Sequence, residues 1–151
     1  MTTPEAPMYF EDIALGSEYA LSPVEIKKEQ ILSFAREYDY IPLHTDEEYA
    51  KRTPFGGLIA PGVMSFMLVW TKFIDVNLFG TELIAGKSTK MEWMKPVYPD
   101  DVLTGRAEIT GKTKKSARNG IIEVTVLAYN QHGALVLSDV TEVVVKCRPM
   151  P

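Results

Sequence analysis

Asp39, Pro42 and His44 stand within six positions of one another and hold the most promising acid–base chemistry in this chain. A carboxylate and an imidazole side by side can orient a water, take a proton from it and return a proton to a nearby atom. Pro42 lacks an amide N–H and pushes Ile41 out of the α region, so Asp39 and His44 cannot project from one helical face. A loop is their expected setting. Two glycine-bearing turns follow, Phe55-Gly56-Gly57 and Pro61-Gly62, and then a strongly apolar run from Val63 to Phe73. A titratable loop that feeds a buried helix sets its chemistry at the helix N-terminus. Unpaired N–H groups and the positive end of the dipole there suit a developing anion.

Other candidates are weaker. His132 lies in an Asn-Gln-His-Gly turn and reads as exposed and inert. The chain has two histidines and one cysteine, Cys147. No Cys or His partner falls at ligand spacing, so no metal site is expected, and Cys147 reads as a bystander that cannot form an internal disulfide. A net charge of −4 and a pI near 5.2 argue against nucleic acid or an anionic membrane as partner. The basic stretch Lys112 to Arg118, beside Asn119-Gly120, reads first as a solvated turn and second as a contact for an anionic ligand tail. MTTPEAPMYF has neither the basic nor the apolar region of a secretory leader. The apolar run Leu58 to Phe73 is broken by Pro61, Gly62, Thr71 and Lys72 and is too short to cross a bilayer. A soluble, cytoplasmic protein is the expectation.

The elements that must position Asp39 and His44 can be read from periodicity. At 151 residues, 46% hydrophobic and 24% charged, the chain is expected to form one globular domain over residues 1–151. Residues 1–7 read as a loose terminus, Tyr9 to Gly16 as a structured lead-in and Ser17 to Ser22 as a short strand. Ser22-Pro23 opens a helix over 24–37, with Ile26, Ile31, Leu32, Phe34 and Ala35 on its apolar side. Thr45, with Glu48 three residues on, has the form of a capping box for a short helix that would fix where His44 points. A helix over 62–74 is apolar on nearly all sides and is expected to be buried. Beyond Glu82 the period changes. Leu83–Trp93, Val102–Thr113, Gly120–Asn130 and Ala134–Lys146 read as antiparallel meander strands separated by turn chemistry. The economical packing wraps that sheet around the apolar helix, an α+β, hot-dog architecture.

The segment Phe34 to Gly62, FAREYDYIPLHTDEEYAKRTPFGGLIAPG, resembles the hydratase motif of MaoC-like dehydratases, the (R)-specific enoyl-CoA hydratase branch of the hot-dog superfamily. That motif runs Asp-x-Asn-Pro-hydrophobe-His, an acidic run, a PFGGxIA turn, and a Gly opening the central helix. Ile41 stands where the family has Asn, and Tyr38 where it has Gly. Pro96 to Gly105 is similar to the family's Pro-Val-x-x-Gly-Asp-x-Leu turn, with Asp100 for its Gly, and Val126 to Leu137 resembles its Asn-x-x-Gly hairpin. The resemblance covers nearly the whole chain.

It implies that Asp39 and His44 are a catalytic pair and that the Gly62 backbone N–H binds a thioester oxygen. The implied reaction is reversible hydration of a trans-2-enoyl-CoA or acyl-carrier thioester to the (R)-3-hydroxyacyl product, without a cofactor. Ile41, Pro42, Phe55, Gly56, Gly57, Ala60 and Trp70 are the candidates for substrate contact. Turn geometry is the competing reading for the two glycines, and core packing for Trp70 and Met67. A homodimer with a continuous sheet is expected, because an open sheet edge favours pairing, and Lys112 to Lys115 or Arg118 are candidates for the CoA phosphates. Two rival functions remain. One is a non-catalytic thioester binder or accessory subunit of a heteromeric dehydratase, which Ile41 would signal. The other is a hot-dog thioesterase.

Overall fold

A computed structural model describes residues 8–151; the expected loose terminus over 1–7 lies outside the described residues. In chain order the elements are β1 Glu18–Ala20, β2 Val24–Glu25, α1 Lys28–Tyr38, α2 Pro42–Thr45, α3 Glu47–Lys51, α4 Gly62–Val76, β3 Leu83–Trp93, β4 Val102–Lys114, β5 Asn119–Tyr129 and β6 Leu135–Lys146. The strands form one antiparallel sheet in the order β1-β4-β5-β6-β3, with β2 also on β4. Alternation along β5 and β6 buries Ile122, Val124, Val126 and Ala128 beside Leu137, Val143 and Val145. Met64, Phe66, Val69 and Phe73 of α4 join them in one core. Each such side chain contributes roughly 1.5–3 kcal/mol of apolar burial. Gly105 lets α4 seat this closely, because a Cβ there would stand 2.7 Å from Val69 Cγ1 and 2.9 Å from Leu21 Cδ1. The expected hot-dog fold is present.

Several local expectations need correction. The four long strands are not a simple meander, since β3 pairs with β6 and only β4, β5 and β6 follow in order. Between Trp93 and Val102 lie eight residues including Pro96 and Pro99. A tight hairpin cannot be built from them, so the segment crosses over, buries Val97 and accepts the Ala60 N–H at the Val97 carbonyl, 2.8 Å. The first helix begins at Lys28 rather than near 24. Val24 and Glu25 pair with Leu103 and Val102, and the Ile26 N–H donates to the Asp101 carbonyl at 2.8 Å, so this stretch is committed to the sheet.

Thr45 does not cap the third helix. It closes α2, its hydroxyl donating to the Ile41 carbonyl at 3.2 Å, and Asp46 takes the cap by accepting the Tyr49 N–H at 3.0 Å. A cap residue must be extended, which Asp46 is (φ −124°, ψ 103°). Finally, α4 is buried on one side only. Val63, Met67 and Ile74 are exposed on its outer face, with none of the described residues covering them. The helix runs on to Val76 and stops at Asn77 in the left-handed conformation, φ 55°.

Candidate active site

Asp39 ends α1, its N–H donating to the Ala35 carbonyl at 2.9 Å. The expected loop then contains one full helical turn, α2, because a proline's fixed φ suits the first helical position. That turn carries His44 inward until it is only 6% exposed. Its Nδ1 lies 2.7 Å from the Ile59 carbonyl oxygen. A carbonyl can only accept, so Nδ1 bears a hydrogen, and in the neutral form of the ring Nε2 is then the atom with the lone pair. Asp39 Oδ2 stands 3.5 Å from that Nε2, with its own carboxylate half-exposed. Both atoms can accept, so a water lodged beside them would find an acceptor in each.

His44 borders a cavity of about 400 Å³. Leu43 and His44 of α2 form one wall, and Phe55, Ile59 and Ala60 of the α3–α4 connection another. Gly62 and Ser65 of the first turn of α4 form a third, and the stretch from Trp93 to Val97 closes it. Two bonds pin these walls together: the Ala60 N–H to Val97, and the Tyr98 hydroxyl to the Phe55 carbonyl at 2.9 Å. The free amides of α4 open at this end, where its dipole favours negative charge. The Trp93 indole lies directly on Gly62. A Cβ on that glycine would meet ring atoms at 2.2 to 2.7 Å.

Of the residues singled out from sequence, the structure brings His44, Phe55, Ala60 and Gly62 to this cavity and holds Asp39 against His44. Ile41 is exposed, and neither it nor Pro42, Gly56 or Gly57 lines the cavity. Gly56 has φ +72°, so turn geometry accounts for that glycine. Trp70 also lies elsewhere. It packs on Phe66 and Phe73, with ring centroids at 5.7 and 5.0 Å, and borders a separate groove with Met67, Ile74 and Leu83. Trp70 is thus set apart from His44, and the reason is helical: eight residues past Gly62 is more than two turns along α4.

The basic stretch is likewise remote from the cavity. Its hairpin lies at the far end of the 13-residue β4, about 40 Å of strand away, and Lys112 is engaged locally, donating to the Ile13 carbonyl and lying over the Phe10 ring. Sequence reasoning missed Ser65, Trp93, Met94 and Lys95. The i, i+3 spacing from Gly62 could have flagged Ser65. The other three arrive only through the crossover after β3. Among the described residues, no group of three or more His, Cys, Asp or Glu is arranged to hold a metal, and no helix is long and apolar enough to cross a membrane.

An antiparallel sheet curved over one long helix, with an acid and an imidazole at that helix's N-terminus, defines a hot-dog protein with a candidate acid–base site. The chain belongs to the MaoC-like dehydratase family, for the family model of the MaoC like domain matches residues 12–130. It is 31% identical over 140 residues to uncharacterized protein YdeM of Bacillus subtilis, covering 92% of this chain and 99% of that one. It is 28% identical over 147 residues to the mesaconyl-CoA hydratase of Cereibacter sphaeroides, covering 95% of this chain but 42% of that enzyme, so it spans less than half of that relative's length. Among solved structures, an Archaeoglobus monoamine oxidase regulatory protein matches with a TM-score of 0.91 at 28% identity, over 99% of this chain and 100% of that one. A MaoC-like dehydratase from Rhodospirillum rubrum matches at 0.85 and 29%, over 95% and 99%.

Proposed function

We propose that this protein reversibly hydrates trans-2-enoyl thioesters of CoA or an acyl carrier, giving (R)-3-hydroxyacyl thioesters. The observation that carries the reading is the Nδ1 contact to the Ile59 carbonyl, which leaves the Nε2 lone pair of His44 facing Asp39 in a cavity at a helix N-terminus. A water donating to both acceptors loses one proton to the pair, and its oxygen adds to Cβ. The electron pair of the double bond moves toward the thioester oxygen, and the pair then returns the proton to Cα. One proton is taken and one given back, so no cofactor is required. Charge on the thioester oxygen is met by the Gly62 N–H and the α4 dipole. The mesaconyl-CoA hydratase relative supports a CoA thioester as substrate, and Lys95 at the cavity is the cation best placed for its phosphates.

The test is the loss of enone absorbance when the protein meets crotonyl-CoA, beside Asp39→Asn and His44→Ala. Each substitution is expected to lower kcat by roughly a hundredfold or more with folding intact. Full turnover in His44→Ala would end the proposal. A second reading, a thioester binder without turnover, is favoured by one observation. Ile41, in the family's Asn position, heads α2 without a side-chain cap, so that position supplies no polar side chain to the turn that carries His44. Binding of acyl-CoA with no hydration by the parent would select it. Free thiol released from an acyl-CoA would select the thioesterase instead.

A further inference from the structure

Ser65 has a buried hydroxyl that the folded chain leaves unused. The residue is 1% exposed, lines the His44 cavity, and its Oγ has no hydrogen-bond partner among the described residues. A buried hydroxyl left unpaired is costly to a fold and calls for an explanation. A helical serine has an ordinary outlet, the carbonyl four residues back. Here that is Pro61, which accepts the Ser65 N–H at 3.1 Å but not its hydroxyl. Thr71 on the same helix does take this outlet, donating to the Met67 carbonyl at 2.8 Å. The free hydroxyl is therefore particular to the cavity end of α4.

Position supplies the partner's chemistry. Ser65 lies three residues after Gly62, and side chains on a helix lean toward its N-terminus, so its hydroxyl and the Gly62 amide belong to one face. The positive end of the dipole makes an acceptor the favoured ligand atom there. We propose that Ser65 Oγ donates a hydrogen bond to the acyl thioester oxygen, as a second donor beside the Gly62 N–H. This rests on the thioester reading above and adds a residue to it. One amide satisfies only part of an enolate-like oxygen, and a second fixed donor in a cavity lined mainly by apolar atoms stabilises the transition state more than the ground state.

The proposal makes opposite forecasts for stability and for activity. Ser65→Ala removes an unpaired buried group, so the melting temperature of the free protein should hold or rise. Its kcat/KM on crotonyl-CoA should fall tenfold or more, mainly in kcat, and calorimetric affinity for unreactive butyryl-CoA should fall about fivefold. Turnover and butyryl-CoA affinity both unchanged would overturn it. If Ser65→Ala loses both stability and turnover, Ser65→Cys decides. Stability restored with turnover still depressed keeps the contact, and both restored together remove it. The outcomes also separate this proposal from the reading beneath it. A parent that binds butyryl-CoA through Ser65 without hydrating crotonyl-CoA refutes hydration alone. A hydrating parent indifferent to Ser65→Ala refutes the contact alone, and a parent that does neither refutes both.

Discussion

Asp139 of β6 is wholly out of solvent, and its carboxyl oxygens meet only hydroxyls, Thr89 Oγ1 at 2.5 Å and Thr141 Oγ1 at 2.6 Å, which are themselves 2.8 Å apart. Both threonine hydroxyls donate to the carboxyl, and neither brings a charge to offset its burial. Burial pushes Asp139 above the ordinary 3.8, while the two hydroxyls pull it partly back. The folded state therefore holds the carboxyl proton to a higher pH than the unfolded chain does. The stability it gives is complete below about 3.8 and is lost as pH rises through the raised folded value. Chemical unfolding from about pH 3 to 8 should show the parent losing ground to Asp139→Asn as pH rises, and parallel curves would contradict this. Ile41 yields a second residue-scale forecast. Its extended backbone (φ −72°, ψ 147°) at the head of α2 is a cap position without a capping side chain, so Ile41→Asn should stabilise the protein by about 0.5–1 kcal/mol in urea. The approach of Asp39 to His44 was legible because an acid, a proline and a histidine at this spacing place the two on one short connection. Ser65 was not, because a serine in an apolar run looks inert until its hydroxyl is found without a partner.

Gly62 and Trp93 link two elements far apart in sequence, the start of α4 and the end of β3. A methyl on Gly62 would stand 2.2 Å from the indole, so Gly62→Ala must displace the ring or the helix end. It should lower both stability and kcat/KM on crotonyl-CoA. In a Trp93→Ala background the stability cost of the same change should shrink, since the obstructing atoms are gone. A double-mutant cycle on unfolding free energies measures this, and strictly additive costs would show that the ring moves aside freely. Trp93→Ala alone should enlarge the cavity and raise turnover of longer enoyl chains relative to crotonyl-CoA. The long strands and α4 were readable because their periods are distinct and sustained. The start of α1 reads as helix in the sequence because Val24 to Ile26 satisfies a helical pattern, while Val24 and Glu25 are paired with Leu103 and Val102 and the Ile26 backbone is claimed by Asp100 and Asp101. The crossover after Trp93 was invisible for the same reason, since which strand takes which neighbour depends on residues dozens of positions away.

At the scale of the whole molecule, apolar surface and open backbone coincide. Val63, Met67 and Ile74 on the outer face of α4 are exposed, as are Ile84, Trp93 and Met94 along and after β3, and β3 ends the sheet. An eleven-residue edge strand beside an apolar helix face invites a second strand. Edge lysines commonly deter such pairing, but Lys87 and Lys90 stand 3.7 and 3.5 Å from Glu142 and Glu92 of their own chain, which offsets their charge. A two-fold pairing of β3 with β3 would join the sheets of two copies and cover both helix faces, the closed arrangement a self-complementary patch favours. Sedimentation at micromolar concentration should give twice the 16.9 kDa chain mass. Met67→Lys with Ile84→Lys should shift it toward the single chain, because two ammonium groups would have to be desolvated against their own symmetry mates. Turnover should fall with the mass, although neither residue lines the His44 cavity, since β3 also carries the Trp93 that closes it. A parent that sediments as one chain while hydrating crotonyl-CoA at full rate would refute the dimer and leave the cavity complete within a single chain.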